Sequence, residues 1–482
     1  MPKLITSLNE AVIRKTAKRC KERGIILPTI RQQMFPDTIP DAIKHKLKPI
    51  GLWDIDPLNL FRITWKNDID SGLFAKPGYL ELPSSLTGVK ARIIGLVGKY
   101  FPTGAHKVGA AYGCLAPRLV SGSFDPEFDK AVWPSTGNYC RGGAFDCALL
   151  ACPAVAILPE EMSQERFDWL REIGAEVIAT PGCESNVKEI YDKCHELRSD
   201  PHNVILNQFD EFGNPFWHYH VTGDAIHEVW DLVKTAKSRL SGFVSATGSA
   251  GTIAAGDYLK KHFPLVKTTA SEAFECPTLL LNGFGGHRIE GIGDKHVPWV
   301  HNVRHTDAVA AIRDEDCMRL LRLFNEPAGH EFLIQEGVPK EVVQDLPLLG
   351  ISSIANLLAS IKHARYFEYN EEDIVFTIFT DSTELYESRV KEQRELKGEY
   401  SHLQAALDWE GPLKSQSYDN FLELSYQDRK RIHNLKYYTW VEQQGKTYEE
   451  ILQQWDPEYW IETFETNLDE LDTAIEAFNA LY

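Results

Sequence analysis

Ala131-Val132-Trp133-Pro134-Ser135-Thr136-Gly137-Asn138-Tyr139-Cys140-Arg141-Gly142-Gly143 passes from a β-type apolar trio through a turn of small and hydroxylated residues into a helix start. Short β-rich runs recur at residues 154–158, 176–179, 204–206, 242–245 and 374–379, with amphipathic helical spacing between the earlier ones. Strands alternating with helices are the signature of βαβ units, so an α/β fold around a mostly parallel sheet is expected. Such open sheets bind ligands beyond the carboxyl ends of their strands, where loops lead into helices. The orphan amides and the dipole at the start of the 138–143 helix suit a carboxylate or phenolate oxygen; a plain capped turn reads equally well at this point.

Two further loops have the same strand-to-helix setting. Ala246-Thr247-Gly248-Ser249-Ala250-Gly251-Thr252 offers small residues that let consecutive amides close on a dianionic phosphate, with Ser249 and Thr252 adding hydroxyl donors. It lacks the lysine of a nucleoside-triphosphate loop, and Gly283-Phe284-Gly285-Gly286 lacks the third glycine of a dinucleotide fingerprint, so nucleotide binding is the weaker reading. Gly350-Ile351-Ser352-Ser353-Ile354-Ala355 opens an apolar helix and by itself reads as a serine cap.

Upstream, Pro102-Thr103-Gly104-Ala105-His106-Lys107-Val108-Gly109-Ala110 embeds a lysine among small residues. Burial there disfavours the ammonium form, which an amine that must attack an aldehyde requires. Lys107 therefore reads as a Schiff-base lysine, the alternative being a snorkelling surface side chain.

The 482 residues are enough for several cores, and a formal net charge of −18 argues against a broad nucleic-acid or anionic-membrane footprint. The nine cysteines are scattered without metal-knuckle or redox-motif spacing, which favours a reducing, cytoplasmic setting. No apolar stretch is long enough to cross a bilayer, and Met1 to Ser7 are followed by charged residues instead of an apolar core, so neither membrane insertion nor export is expected. Cys140 beside Arg141 reads as a packed cysteine rather than a reactive thiol. His218, His220 and His227, spaced by two and then seven without an obvious carboxylate or cysteine companion, are expected to line the cleft rather than hold a metal.

Taken together, Lys107, the loop from Ser135 to Asn138, the loop from Gly248 to Thr252 and Ser352 resemble the fold-type II pyridoxal-phosphate enzymes, the group of cysteine synthase, cystathionine β-synthase, threonine synthase and tryptophan synthase β. The likeness spans about residues 90 to 390 and takes in Asn207-Gln208-Phe209, Val221-Thr222-Gly223 and His287-Arg288-Ile289-Glu290-Gly291-Ile292-Gly293. Overall it is strongest to the cysteine synthase-like branch, although Thr103 to Lys107 is more similar to tryptophan synthase β.

The resemblance implies two open, mostly parallel α/β domains with pyridoxal 5′-phosphate in the cleft between them. Residues 1–90 would be an N-terminal extension, 91–390 the catalytic core with a smaller subdomain at about 131–230, and 391–482 a helical C-terminal extension. It implies that Lys107 carries the cofactor, Asn138 meets the ring 3′-oxygen, and Gly248, Ser249, Ala250, Gly251 and Thr252 cradle the phosphate. Ser352 would face the pyridine nitrogen, and Ser135, Thr136, Gly137 and Gln208 would hold the substrate carboxylate.

The implied chemistry is β-replacement or β-elimination on an amino acid through an aminoacrylate, with Lys107 as the base at Cα. The alternatives are an amino-acid ammonia-lyase or dehydratase, or a catalytically silent subunit of the same fold. A homodimer with no metal, nucleic-acid or membrane partner is expected. Ser249, Ala250, Tyr139 and Ile354 depart from the usual cysteine synthase residues, which leaves the substrate open.

Overall fold

The computed structural model describes residues 2–135, 137–182 and 186–481. Eleven strands form its two main sheets: β1 (Tyr79–Leu82), β2 (Arg92–Val97), β3 (Lys130–Pro134), β4 (Ala154–Pro159), β5 (Glu176–Thr180), β6 (Asn203–Ile205), β7 (Arg239–Ala246), β8 (Lys267–Ala273), β9 (Ala308–Ile312), β10 (Asp373–Phe379) and β11 (Phe421–Glu423). The large sheet runs β11-β9-β8-β7-β10-β2-β1, parallel except at its two edges, and the small sheet runs β5-β4-β3-β6, parallel throughout. These are two α/β domains of the expected kind. Parallel strands covered on both faces read as continuous apolar runs, and β10 is buried along its whole length for that reason.

Every run read as a strand from the sequence is one, with ends shifted by a few residues. The strand β8 escaped notice because its residues, Lys-Thr-Thr-Ala-Ser-Glu-Ala, look like a loop, yet six of the seven are buried. Its polar groups find tertiary partners: Thr269 Oγ1 meets His363 Nδ1 at 2.7 Å, and the Glu272 carboxylate accepts from the Leu279 and Leu280 amides at 2.9 Å each.

The flanking segments correct two expectations. Residues 1–90 wrap the core but also contribute β1, and the helical region after residue 391 donates the edge strand β11. The two extensions also clasp each other. The C-terminal helix Pro457–Asn479 packs with the Glu10–Glu22 helix on the Lys107–Ser121 helix, and Asn467 Oδ1, Asp472 Oδ1 and Asn479 Oδ1 accept the backbone amides of Leu4, Ile30 and Leu27.

Helix Lys107–Ser121 is the axle of the site. On one of its faces, a Cβ at Gly109 would lie 2.2 Å from the Trp217 ring and one at Gly113 2.4 Å from the Gly213 carbonyl, so only glycine permits this depth of packing. The helix also packs against the Asn138–Leu149 helix of the small domain. No helix among the described residues is long and apolar enough to cross a membrane.

Candidate active site

Lys107 is the first residue of its helix, half-buried, and left-handed Thr103 and Gly104 (φ 71° and 70°) turn the chain into that start. Its Nζ donates to Ser249 Oγ at 2.9 Å, which joins the lysine to the second glycine loop across 142 residues of sequence. Ser249 Oγ also receives Asn214 Nδ2 at 3.1 Å. A cavity opens around this contact, lined by Ser135, Asn138, Gln208, Gly248, Ala250 and Thr252 among others.

The loop 248–252 is shaped by close approach. A Cβ on Gly251 would lie 1.9 Å from Asn214 Oδ1, and one on Gly248 would lie 2.9 Å from the Gly291 carbonyl. Ala250 holds a left-handed φ of 57°. Thr247 anchors the loop to β8 through its Oγ1 on the Ser271 carbonyl at 3.0 Å.

Across the cavity, Ser135 Oγ receives both the Gly137 amide (3.1 Å) and Gln208 Nε2 (3.3 Å), so the residues expected to hold a carboxylate do converge. Thr136 lies outside the described residues. Asn138 opens its helix with Gly137 at the cap position, and Tyr139 lies buried edge-on to Trp133 at 5.3 Å while lining the cavity. Ser352 is buried one turn before the cavity-lining Asn356. Its Oγ sits 3.7 Å from where a Cβ on Gly291 would be, which brings it up to a lining residue rather than into the lining itself. Gly350 takes the cap position of that helix, so Ser352 does not cap it.

Behind Asn138 runs a buried polar relay that sequence reading missed. Asn138 Nδ2 donates to Asp381 Oδ2 at 2.5 Å, Tyr386 OH donates to the same oxygen at 2.7 Å, and Arg166 Nη2 donates to Tyr386 OH at 2.9 Å. Arg166 pairs with Glu290 at 3.2 Å, both almost wholly buried, and Arg389 meets the other Glu290 oxygen at 2.8 Å. A Cβ on Gly137 (φ 156°) would strike the Arg166 guanidinium at 1.8 Å, so the loop lies directly on this relay. Burial pushes the Asp381 carboxyl up, opposed by the Arg166 charge and the hydrogen bonds from Tyr386 and Asn138. The available signal was a polar residue just past the end of the apolar β10, where an open sheet places its ligands.

Three other readings resolve. Cys140 is fully buried, its Sγ on the Gly137 carbonyl at 2.9 Å, and burial drives the thiol up to about 12, so it is a packed side chain. His218 and His220 do not line the cleft. Both are buried in one helical turn, His218 Nδ1 on Thr222 Oγ1 (2.9 Å) and His220 Nε2 on the Phe464 carbonyl (3.0 Å). His227 instead packs edge-on against Phe263 and tilted against His262.

The donor set fits a phosphate ester carrying an aldehyde ring. It has an amine at the loop, a glycine cradle with no room for side chains, and, among the lining residues, Asn138 and Asn356, whose Oδ1 acceptors are buried without a hydrogen bond among the described residues. Buried polar groups are ordinarily satisfied, so such a group at a cavity marks a ligand position.

Comparison with known proteins agrees. A family model described as pyridoxal-phosphate dependent enzyme matches residues 99–330. Cysteine synthase of Staphylococcus aureus is 29% identical over 286 residues, 59% of this chain and 84% of that protein. Cystathionine beta-synthase of Saccharomyces cerevisiae is 27% identical over 331 residues, 66% of this chain and 61% of that protein. The solved structure of O-acetyl serine sulfhydrylase isoform 3 from Entamoeba histolytica superposes with a TM-score of 0.56 at 23% identity, covering 70% of this chain and 92% of that one.

The fold and these matches define a pyridoxal-phosphate-dependent enzyme of fold type II. Within that class the chain is cysteine synthase-like, and its chemistry is replacement or elimination at the β-carbon of an amino acid.

Proposed function

We propose that the Lys107 cleft performs this β-chemistry with the following division of labour. The Lys107 Nζ to Ser249 Oγ contact of 2.9 Å carries the reading, because it sets a reactive amine directly on an anion-binding loop. Pyridoxal phosphate, when bound, supplies an aldehyde carbon and an electron-withdrawing ring. The amides of residues 248–252 and the Thr252 hydroxyl would hold its phosphate, Asn138 would hold the ring oxygen, and Ser352 would serve the ring nitrogen. Ser135, Gly137 and Gln208, with Thr136 beside them, bind and orient the substrate carboxylate. Lys107 would hold the cofactor and, with its amine freed once substrate is bound, would take the Cα proton.

The buried Tyr139 beside the carboxylate loop narrows the pocket on that side. The family likeness supports a homodimer. The scattered and mostly buried cysteines support a reducing, cytoplasmic setting.

Borohydride reduction of the holoenzyme followed by peptide mapping tests the lysine. The adduct is expected on Lys107, and Lys107→Ala should lose it together with at least about 10³-fold in turnover, the range of acid–base assistance. A map that puts the adduct on another lysine overturns the site. Pyruvate release with and without added thiol separates elimination from replacement. Release of 2-oxobutyrate from threonine would instead favour a dehydratase, and cofactor binding without turnover a silent subunit.

A further inference from the structure

We propose that Asp294 is the acid–base group on the β-carbon side of this cleft, which suits the enzyme to amino acids whose β-substituent is a poor leaving group, a hydroxyl or a thiol. The inference rests on the β-chemistry reading and extends it to the substrate class. Asp294 is buried and lines the same cavity as Lys107, Ser135 and Gln208, and among the described lining residues it alone carries a carboxyl.

Its backbone is held firmly. Gly291 and Gly293 turn the chain with left-handed φ of 97° and 75°, Thr278 Oγ1 donates to the Asp294 carbonyl at 2.6 Å, and His287 Nε2 meets the Gly293 carbonyl at 3.2 Å. The loop packs on the phosphate cradle, where Gly248 has no room for a Cβ against the Gly291 carbonyl. A carboxyl on so fixed a support has the preorganisation that proton transfer needs.

The chemistry requires a second group. Lys107 takes the Cα proton, and the electron pair of that C–H bond forms the Cα–Cβ double bond. The Cβ–O or Cβ–S pair departs with its heteroatom, which takes a proton from Asp294 and leaves as water or a thiol. In replacement the steps reverse at Cβ: an incoming thiol gives its proton to the Asp294 carboxylate as the Cβ–S bond forms. In elimination the proton that Lys107 took from Cα returns through water to the carboxylate, which resets both groups. No oxidant or reductant is involved. The lining alcohols, Ser135, Ser245, Ser249, Thr252 and Thr380, and the lining amides have no ionisable proton in the working pH range, and burial pushes the Tyr139 phenol well above its usual value.

Leaving groups that depart as stable anions need no such proton, and this gives the test. Pyruvate release by the holoenzyme is measured with L-serine and L-cysteine, and separately with β-chloro-L-alanine and O-acetyl-L-serine, for the parent, Asp294→Asn and Asp294→Glu. In Asp294→Asn the rate with L-serine or L-cysteine should fall at least about 100-fold. Its ratio to the β-chloro-L-alanine rate should fall at least about 30-fold, with the bound-cofactor absorbance unchanged and partial recovery in Asp294→Glu. Equal losses on both substrate groups, or no loss, overturn the role of Asp294 and leave the β-chemistry reading standing. So does a parent that turns over β-chloro-L-alanine but neither L-serine nor L-cysteine. A cofactor-loaded parent that releases no pyruvate from any of the four, and forms no β-substituted amino acid from them when a thiol is added, sinks the β-chemistry reading itself, visible before any variant is made.

Discussion

The loop 248–252 and the loop 135–138 both leave a parallel strand, both enter a helix, and both face Lys107, but they are held in place by different means. The first is a backbone object. Small residues, a left-handed Ala250 and the glycine contacts to Asn214 and Gly291 shape it, and it leans on its own sheet through Thr247 and Ser271. The second is a side-chain object. Its register is set by Arg166 lying against Gly137 and by the chain Asn138, Asp381, Tyr386, Arg166 and Glu290, which crosses from the small domain to the large one. The cofactor side of the cleft is thus rigid by local chemistry. The substrate side is positioned by buried charges that exist only while the two domains are together.

Acid should strike both regions at once and most strongly. Burial holds His220 down at about 4 and His296, His301, His363 and His433 at about 3, all below the ordinary imidazole value of 6.5. A depressed folded-state value means stability is fully present above pH 6.5 and is lost as pH falls towards 3 to 4, because the unfolded chain takes up protons that the folded one refuses. Each ring forfeits about 1 kcal/mol per pH unit below 6.5, so the five together cost on the order of 5 kcal/mol at pH 5.5. A urea midpoint that stays flat between pH 7 and 5.5 would show that the folded protein accepts these protons.

Next in size is an attack on the side-chain wall alone. Glu290→Ala leaves the Arg166 guanidinium buried without its carboxylate and should destabilise the fold by about 3–5 kcal/mol, with Glu290→Gln milder. Denaturant titration reads it, and an unchanged midpoint would mean that the relay is not what positions the 135–138 loop.

The smallest effect belongs to the backbone wall. Gly251→Ala sets a methyl against Asn214 Oδ1, where 1.9 Å is available, and the local rearrangement should cost about 1–3 kcal/mol, seen as roughly tenfold to hundredfold weaker cofactor binding with the global midpoint little moved. Cofactor titration at equal affinity to the parent would show that the phosphate sits elsewhere.

This contrast also explains what could be read in advance. Lys107 among Gly, Ala and Val, the two strand-loop-helix turns at 135–138 and 248–252 and the apolar β10 are each legible within a dozen residues, whereas the helix opening at Ile351 follows the helical turn Leu346–Leu348 and not the strand expected there. Asp381 carries no motif around it, Asp294 follows the quoted His287–Gly293 segment without any sign that it lines the cleft, and Glu290 sits in that segment without any sign that its partners are Arg166 and Arg389. Ser352 was singled out by resemblance, while Asn356, one turn later on the same helix, is the residue that reaches the lining.

From the sequence alone come the α/β class, the order of its elements, the lysine and the two glycine-built loops, because apolar periodicity, backbone amides and the absence of a Cβ act over a few residues and need no distant partner. The tertiary structure decided the rest. The polar strand β8 is buried only because His363 and the Leu279 and Leu280 amides satisfy it. The edge strands β1 and β11 come from segments that read as extensions. The substrate wall depends on an Arg166 and a Tyr386 that lie 220 residues apart in the chain. A buried charge or hydrogen bond is stable only when its partner arrives from elsewhere, and that pairing is a property of the folded chain rather than of any stretch of it.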